Sequence, residues 1–195
     1  MTIAFVLGNG VSRQQVDLTL IKKNGPVYGC NALYRDFTPD VLVATDLPIS
    51  TQIQESGYAK NHKFYTRKPL QDSGAHRVLQ EYYGFSSGPN ATALAAHDGA
   101  LKIYMLGFDM GPTDRNLFNN VYAGTDFYKK ADAQPTYTGN WVRQIIKVAS
   151  DYPKVTFVRV CGKTTATIAE LEQQKNIKHL DISQFLARIN KQEGL

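Results

Sequence analysis

Residues that form disulfides or metal clusters are scarce in this sequence. It has two cysteines, four histidines and one tryptophan in 195 residues. Cys30 and Cys161 are not part of a Cys-x-x-Cys pair, and the histidines share no metal-ligand spacing, which argues against a structural zinc site. We therefore expect two buried, reduced thiols, as is usual for a protein of the cytoplasm.

Long hydrophobic runs and concentrated charge are also missing. No apolar stretch reaches the ~18 residues that a membrane-spanning helix needs, and no signal peptide precedes the first strand-like run. We therefore expect a cytoplasmic protein without a membrane span. The net charge is +5, with 11 Lys/Arg up to residue 120 and 11 after it. This even spread argues against nucleic acid as a partner, whereas a mildly basic surface suits an anionic small molecule such as a nucleotide.

Short β-rich runs alternate with helix-like stretches along the whole chain. Strands are predicted at 3–7, 26–30, 40–45, 62–66, 102–107, 154–160 and 178–180. Helices are predicted at 12–23, 48–57, 75–83, within 86–100, at 137–151, at 168–174 and from 183. This alternation predicts an α/β fold, a Rossmann-like three-layer sandwich with a mostly parallel sheet, as a single domain over 1–195. Residues 108–136 show no hydrophobic period and are predicted to form a long active-site loop.

The loops that follow the strands are the candidate site, because ligands of parallel sheets bind beyond the carboxyl ends of the strands. The first such loop is Gly8-Asn9-Gly10. A Gly-x-Gly turn before a helix can hold a phosphate on its backbone N–H groups, or it can be an ordinary tight turn. Arg13 stands where the dinucleotide fingerprint has its third glycine. The sequence therefore favours the phosphate of a mononucleotide and argues against a nicotinamide-dependent reductase.

The second and third strands each end in a polar residue. Asn31 can offer a donor and an acceptor to a ribose or a base edge, or it can be a turn residue. Asp46 is a candidate ligand for a metal ion or a hydroxyl, or the N-cap of the next helix.

Two further loops complete the candidate site. Ser87 and Gly88 precede the Ala-rich helix, where free N–H groups can hold an anion or serve only as a cap. Gly107 and Asp109 follow the most hydrophobic strand. An acid at this place can be catalytic or bind a sugar, or it can close the following loop.

The order and spacing of these motifs resemble a known group of nucleotide-using transferases. The stretches are "LGNGVS", "CNALYRDFTPDVLVATD" and "SSGPNATALAAHDGALKIYMLGFDM", and the resemblance covers about residues 3–160. One branch of the group is the archaeal 6-hydroxymethylpterin diphosphokinases, and the other is the bacterial sialyltransferases that use CMP-sialic acid. The resemblance implies a nucleotide-dependent transferase, either a glycosyltransferase with a CMP-sugar donor or a pyrophosphoryl transferase. Its ligand would be a nucleotide or nucleotide-sugar, with Mg²⁺ as a candidate companion.

The resemblance also implies roles for single residues. Those that would contact the nucleotide are Gly8, Asn9, Gly10, Asn31, Ser87, Gly88 and Gly107. Asp46 would help to hold magnesium in the diphosphokinase branch. Asp109 lines the pocket in the family pattern and is our candidate general base. Tyr122 is a candidate for assisting the leaving phosphate.

One departure from the family pattern leads to an alternative. The sialyltransferases carry a histidine general base after the Gly-x-Asp loop, but residues 108–160 contain no histidine. A catalytically inactive nucleotide-binding module is therefore the second hypothesis. The sequence leaves the acceptor unnamed and leaves a homo-oligomer open.

Overall fold

Eight strands form one parallel sheet in the computed structural model, which describes residues 2–191. The strands are β1 Ile3–Leu7, β2 Val27–Cys30, β3 Val41–Val43, β4 Lys63–Thr66, β5 His76–Arg77, β6 Lys102–Leu106, β7 Thr156–Cys161 and β8 Ile177–Asp181. Their order across the sheet is β5-β4-β3-β2-β1-β6-β7-β8, and every neighbouring pair is parallel. The order reverses beside β1, which creates a crevice between β1 and β6. The predicted Rossmann-like three-layer architecture is confirmed.

Seven α-helices accompany the strands in residues 2–191. They are α1 Leu18–Asn24, α2 Leu47–Glu55, α3 Tyr58–Asn61, α4 Ser87–His97, α5 Gly139–Asp151, α6 Ala169–Glu172 and α7 Ile182–Lys191. Short 3-10 helices cover Val11–Gln15, Asn31–Arg35 and Gln80–Tyr82. None of the described helices has both the length and the apolar character that crossing a membrane requires.

The sheet separates two apolar clusters, because successive side chains of a strand point to opposite faces. In β1, Ala4 and Val6 pack with α4 and α5 on one face, whereas Phe5 and Leu7 pack with α1, α2 and α7 on the other. Because α4 and α5 pack on the same face of the sheet, their amino ends lie on the same side of the crevice.

The prediction of one helix over 12–23 is wrong. Val11–Gln15 forms a 3-10 helix, and Val16 is extended and buried. A new helix begins at Leu18, because the Asp17 side chain accepts the Thr19 N–H at 2.9 Å and caps it.

The prediction of a helix over 75–83 is also wrong. His76 and Arg77 pair with Tyr65 and Thr66 of β4 and form the two-residue edge strand β5. The Val78 N–H then donates to the Thr66 carbonyl at 3.0 Å, which keeps this segment extended. Only Gln80–Tyr82 is helical, as a single 3-10 turn.

The long loop is observed where the sequence predicts it. Residues 107–138, all within the described chain, form turns and bends without a helix or strand. The middle of this segment is held to the loop after β1, since the Val121 N–H donates to the Asn9 carbonyl at 2.8 Å. Its first and last turns are joined to each other, since the Thr138 hydroxyl donates to the Met110 carbonyl at 3.2 Å.

Candidate functional site

The carboxyl ends of β1, β2, β3 and β6 and the amino end of α4 enclose a cleft of about 300 Å³. This volume is at the lower end of the roughly 300–1,000 Å³ typical of small-molecule pockets. The lining residues are Gly8, Asn9, Gly10, Cys30, Asn31, Asp46, Ser86, Ser87, Gly88, Pro89, Gly107, Phe108, Asp109, Met110, Gly111, Asn119, Asn120 and Trp141. The structure thus brings together all the predicted site residues except Tyr122, and their binding roles stay predictions.

The glycines after β1 and β6 allow the two loops to touch through their backbones. The Gly10 N–H donates to the Gly107 carbonyl at 2.9 Å, and a Cβ on Gly8 would lie 2.7 Å from the same oxygen. Gly107 itself has a φ of +70°, a conformation that favours glycine. Close packing of two loops therefore accounts for these glycines without any ligand.

Most N–H groups of the glycine loop already have protein acceptors. Gly8 donates to the Leu106 carbonyl at 2.8 Å, and Val11 donates to Asn119 Oδ1 at 2.9 Å. Among residues 8–12, the N–H of Asn9 alone lacks an acceptor within the described chain. A phosphate at this loop would therefore find one backbone donor, which is fewer than the Gly-x-Gly motif suggests.

The carboxylate of Asp109 is buried and fully engaged. It accepts the Ser12 N–H at 3.1 Å and also the Ser12 hydroxyl. It further accepts Asn119 Nδ2 at 3.1 Å, the Thr164 hydroxyl at 2.7 Å and the Thr165 hydroxyl at 3.1 Å. As a general base, Asp109 would have to give up some of these bonds. The geometry instead makes it a residue that connects the loops after β1, β6 and β7.

Arg159, which sequence reasoning missed, holds the loops after β6 and β7 together through hydrogen bonds. Its buried guanidinium donates to the carbonyls of Phe108 at 2.8 Å, Asp109 at 2.8 Å and Ala166 at 2.7 Å. Burial lowers the pKa of Arg159, and the nearby charge of Asp109 opposes that shift. The signal available in the sequence was a charged residue inside the apolar run "FVRVC".

The amino end of α4 provides the donors that the glycine loop lacks. The N–H groups of Ser87 and Gly88 have no acceptor within residues 2–191. The Ser87 hydroxyl accepts the Thr45 N–H at 3.0 Å and donates to Asn31 Oδ1 at 2.8 Å. Asn31 holds a left-handed φ of +52°, which asparagine tolerates well. Backbone donors and a helix dipole together suit a negatively polarised ligand atom.

Asp46 is the exposed carboxylate of the cleft. It occupies the N-cap position of α2, but its side chain makes no capping bond. No group of three or more His, Cys, Asp and Glu residues suited to a metal ion occurs in residues 2–191. The residues present therefore do not fit a resident metal ion. An Mg²⁺ ion at Asp46 would have to arrive with the phosphates and waters that complete its shell.

Tyr122 lies behind the glycine loop and does not line the cleft. Its hydroxyl accepts a hydrogen bond from Arg13 Nη2 at 3.1 Å, and the Arg13 guanidinium lies 5.6 Å from its ring centroid. Burial raises the pKa of Tyr122, which makes the phenol a poor acid. The structure thus separates Tyr122 from the other predicted site residues.

The cleft wall is unusually poor in ionisable groups. Its lining residues within the described chain include Asp46, Asp109 and Cys30 but neither Lys, Arg, His nor Tyr. Burial raises the pKa of the Cys30 thiol to about 12, so it is not a nucleophile at neutral pH. Cys30 is buried as predicted, but Cys161, at the end of β7, is only half-buried.

Sequence reasoning also missed the aromatic and amide residues of the cleft. Trp141 lies in the first turn of α5, and Asn119 and Asn120 belong to the long loop. The available signals were the single tryptophan of the sequence and an Asn pair inside a segment predicted to be functional.

Two solved structures share the fold of this chain, and both are of sialyltransferases. The chain is similar to the sialyltransferase CstII from Campylobacter jejuni in complex with a substrate analogue, cytidine-5'-monophosphate. The identity is 15% and the TM-score 0.50, over 84% of this chain and 81% of that one. It is also similar to the sialyltransferase CST-II in complex with a trisaccharide acceptor and CMP, with 13% identity and a TM-score of 0.53, over 97% of this chain and 99% of that one.

The structural similarity establishes a sialyltransferase-like fold. Sequence identities this low leave the activity of the chain untested. Neither a protein-family model nor a curated protein matches the chain. Neither similar structure supports the diphosphokinase branch of the resemblance.

Proposed function

We propose that the cleft binds a nucleotide and that the protein is a glycosyltransferase with a CMP-sugar donor. The main observation behind the proposal is that polar residues from several strand ends converge in one place. Polar residues from the ends of β1, β2, β3 and β6 meet the amino end of α4 in one cleft. Two solved structures with this fold contain CMP, which supports a nucleotide of this kind.

The charge of the nucleotide phosphate has few side-chain partners in this cleft. Because neither Lys nor Arg is among its described lining residues, the free N–H groups of Ser87 and Gly88 and the α4 dipole are the main attractions. The buried guanidinium groups of Arg13 and Arg159 lie behind the loops after β1 and β6 and add positive potential.

Glycosyl transfer would leave the protein with two tasks. The acceptor hydroxyl loses its proton as its oxygen bonds to the anomeric carbon, and CMP departs with the electrons of the broken C–O bond. Because Asp109 is engaged by five donors, Asp46 is the carboxylate we assign to accept the proton. The α4 amino end would stabilise the phosphate of the departing CMP.

A nucleotide-binding module without catalysis is the second candidate. The observation that favours it is the absence of His and Tyr from the described lining of the cleft, which leaves Asp46 as the one unengaged base. Such a module would retain the cleft and its ligand and would release no CMP from a CMP-sugar.

Calorimetric titration with CMP, CDP, ATP, GTP and their sugar conjugates, with and without Mg²⁺, tests nucleotide binding. We expect CMP and CMP-sugars to bind. The variant Asn31→Gly tolerates the left-handed backbone and removes the whole amide side chain, so it should weaken CMP binding about tenfold. Lys178→Ala, exposed on β8, is the matched control and should bind as the wild type does. If none of these ligands binds, both candidates are rejected.

Release of CMP from a CMP-sugar, with and without a trisaccharide acceptor, separates the two candidates. Acceptor-dependent release that Asp46→Asn abolishes, with CMP binding retained, would support the transferase. Binding without release would support the module. Acceptor-dependent release that persists in Asp46→Asn would reject the assignment of Asp46.

A further inference from the structure

The lining of the cleft includes Trp141, the single tryptophan of the chain. Its Nε1–H donates to Ser86 Oγ at 3.1 Å. One helical turn later, Gln144 Oε1 accepts the Ser86 N–H at 2.9 Å. Two side chains of α5 thus hold the residue that precedes α4, and the orientation of the indole is fixed before any ligand binds.

The hydrogen bond to Ser86 determines what Trp141 can offer a ligand. Its one polar atom is already engaged, so the part left for the cleft is the carbon surface of the ring. Pro89, Phe108 and Met110 line the same cleft and add apolar surface, whereas Asp46 and Asn31 belong to the ends of β3 and β2. The cleft therefore combines apolar surface suited to a flat ring with polar groups suited to hydroxyls and phosphate.

Unused hydrogen-bond donors lie next to the indole. The Ser86 hydroxyl accepts the Trp141 N–H and keeps its own hydrogen to donate, and the N–H groups of Ser87 and Gly88 follow directly in the chain. A nucleobase combines a flat apolar face with carbonyl and ring-nitrogen acceptors along its edge. A pyranose ring instead presents hydroxyls that donate as well as accept. A stacking surface with the Ser86 hydroxyl donor beside it therefore fits a base better than a sugar.

We propose that Trp141 is the platform on which the nucleobase of the bound nucleotide stacks, with the Ser86 hydroxyl donating to the base edge. This inference rests on the proposed nucleotide-binding function and adds its orientation: the base lies against α5, and the phosphate meets the free N–H groups of Ser87 and Gly88. Stacking on a preoriented ring costs little ordering and tolerates different bases.

Intrinsic fluorescence tests the proposal directly, because excitation beyond the tyrosine band reports on Trp141 alone. CMP and cytidine should both quench the emission of the wild-type protein, and ribose 5-phosphate should not. By calorimetry, Trp141→Ala should bind CMP about tenfold more weakly, and Trp141→Phe should stay close to the wild type. Ile146→Ala, which removes another α5 side chain packed on the same core but outside the cleft, should leave the CMP affinity unchanged.

The outcomes separate this inference from the function on which it rests. If CMP binds by calorimetry without quenching, or binds Trp141→Ala as tightly as the wild type, the platform is rejected and nucleotide binding stands. If ribose 5-phosphate quenches and cytidine does not, the reverse orientation is correct and the base assignment is rejected. If no nucleotide binds the wild type by calorimetry, the proposed function fails and this inference fails with it. The quenching experiment uses only the wild-type protein, so it still tests the platform if Trp141→Ala misfolds.

Discussion

At the scale of single residues, Asp109 shows how a buried charge organises the loops of this cleft. An ionised carboxylate only accepts hydrogen bonds, and here its oxygens accept from Ser12, Asn119, Thr164 and Thr165. Its charge is compensated from behind by the buried Arg159 guanidinium, which donates to the Asp109 carbonyl.

Replacing this carboxylate by an amide should therefore destabilise the fold. In Asp109→Asn, an NH₂ group faces hydrogen-bond donors, and the buried Arg159 loses its neighbouring negative charge. We expect a loss of about 3 kcal/mol in the free energy of unfolding, measured by urea denaturation. Asp46→Asn removes an exposed carboxylate of the same cleft and should change stability by less than about 0.5 kcal/mol. An Asp109→Asn protein of wild-type stability that binds CMP but has no turnover would restore the general-base role.

The sequence predicts which residues lie at this site more readily than it predicts what each of them does. Strand-end reasoning brings Gly8, Asn31 and Asp46 to one edge of the sheet because all parallel strands finish there. It could not show that the oxygens of Asp109 are already engaged, because the donors Ser12 and Thr164 stand 97 and 55 residues away in the chain. Their meeting is a product of the fold and leaves no local pattern.

At the scale of elements, the loops after β1 and β6 meet at glycines, and their backbones leave no room for a side chain. A Cβ on Gly10 would lie 2.5 Å from Asp109 Cγ and 2.7 Å from the Gly107 carbonyl oxygen. Both contacts are far below van der Waals distance. The Gly-x-Gly motif thus first serves the packing of neighbouring strand ends, and it shapes a cleft wall made of backbone.

One added methyl group tests this view of the glycine loop. Gly10→Ala should lower the free energy of unfolding by about 2 kcal/mol, because the loops after β1 and β6 must separate to admit the methyl group. The matched control is Gly84→Ala, whose Cβ would meet nothing within 4 Å and whose φ is not positive. It should stay within about 0.5 kcal/mol of the wild type in the same denaturation experiment. A Gly10→Ala protein as stable as Gly84→Ala would show that the loop is free to move, as a ligand-binding turn without a packing role would be.

The elements that sequence could predict are those whose signal is local. Buried apolar runs identify β1, β6 and β7, and the helices that follow Pro48 and Tyr137 are observed within a few residues of the prediction. The strand β5 has no such signal, since His76 and Arg77 are extended only because β4 lies beside them. The 3-10 turn before the break after Gln15 contains Ser12, whose N–H donates to Asp109, a tertiary contact that leaves no local signal either.

At the scale of the whole molecule, one sheet carries both apolar clusters. Adjacent residues of β1 point into opposite clusters, so neither cluster can lose its side chains without disturbing the strand that supplies the other. Trp141 packs against the cluster that contains α4 and α5, whereas Phe185 of α7 is fully buried in the other. These two residues allow the coupling between the faces to be measured.

Removing Phe185 should lower the stability reported from the opposite face of the sheet. Because the faces share every central strand, we expect Phe185→Ala to reduce the free energy of unfolding by about 3–5 kcal/mol. The urea midpoints from Trp141 fluorescence and from far-ultraviolet circular dichroism should fall together, as in a two-state transition. Leu101→Ala, at a side chain that is 47% exposed, is the control and should shift both midpoints only slightly. If Phe185→Ala lowers the circular dichroism midpoint while the Trp141 transition stays in place, the two faces unfold separately. The single domain predicted from the sequence would then be wrong.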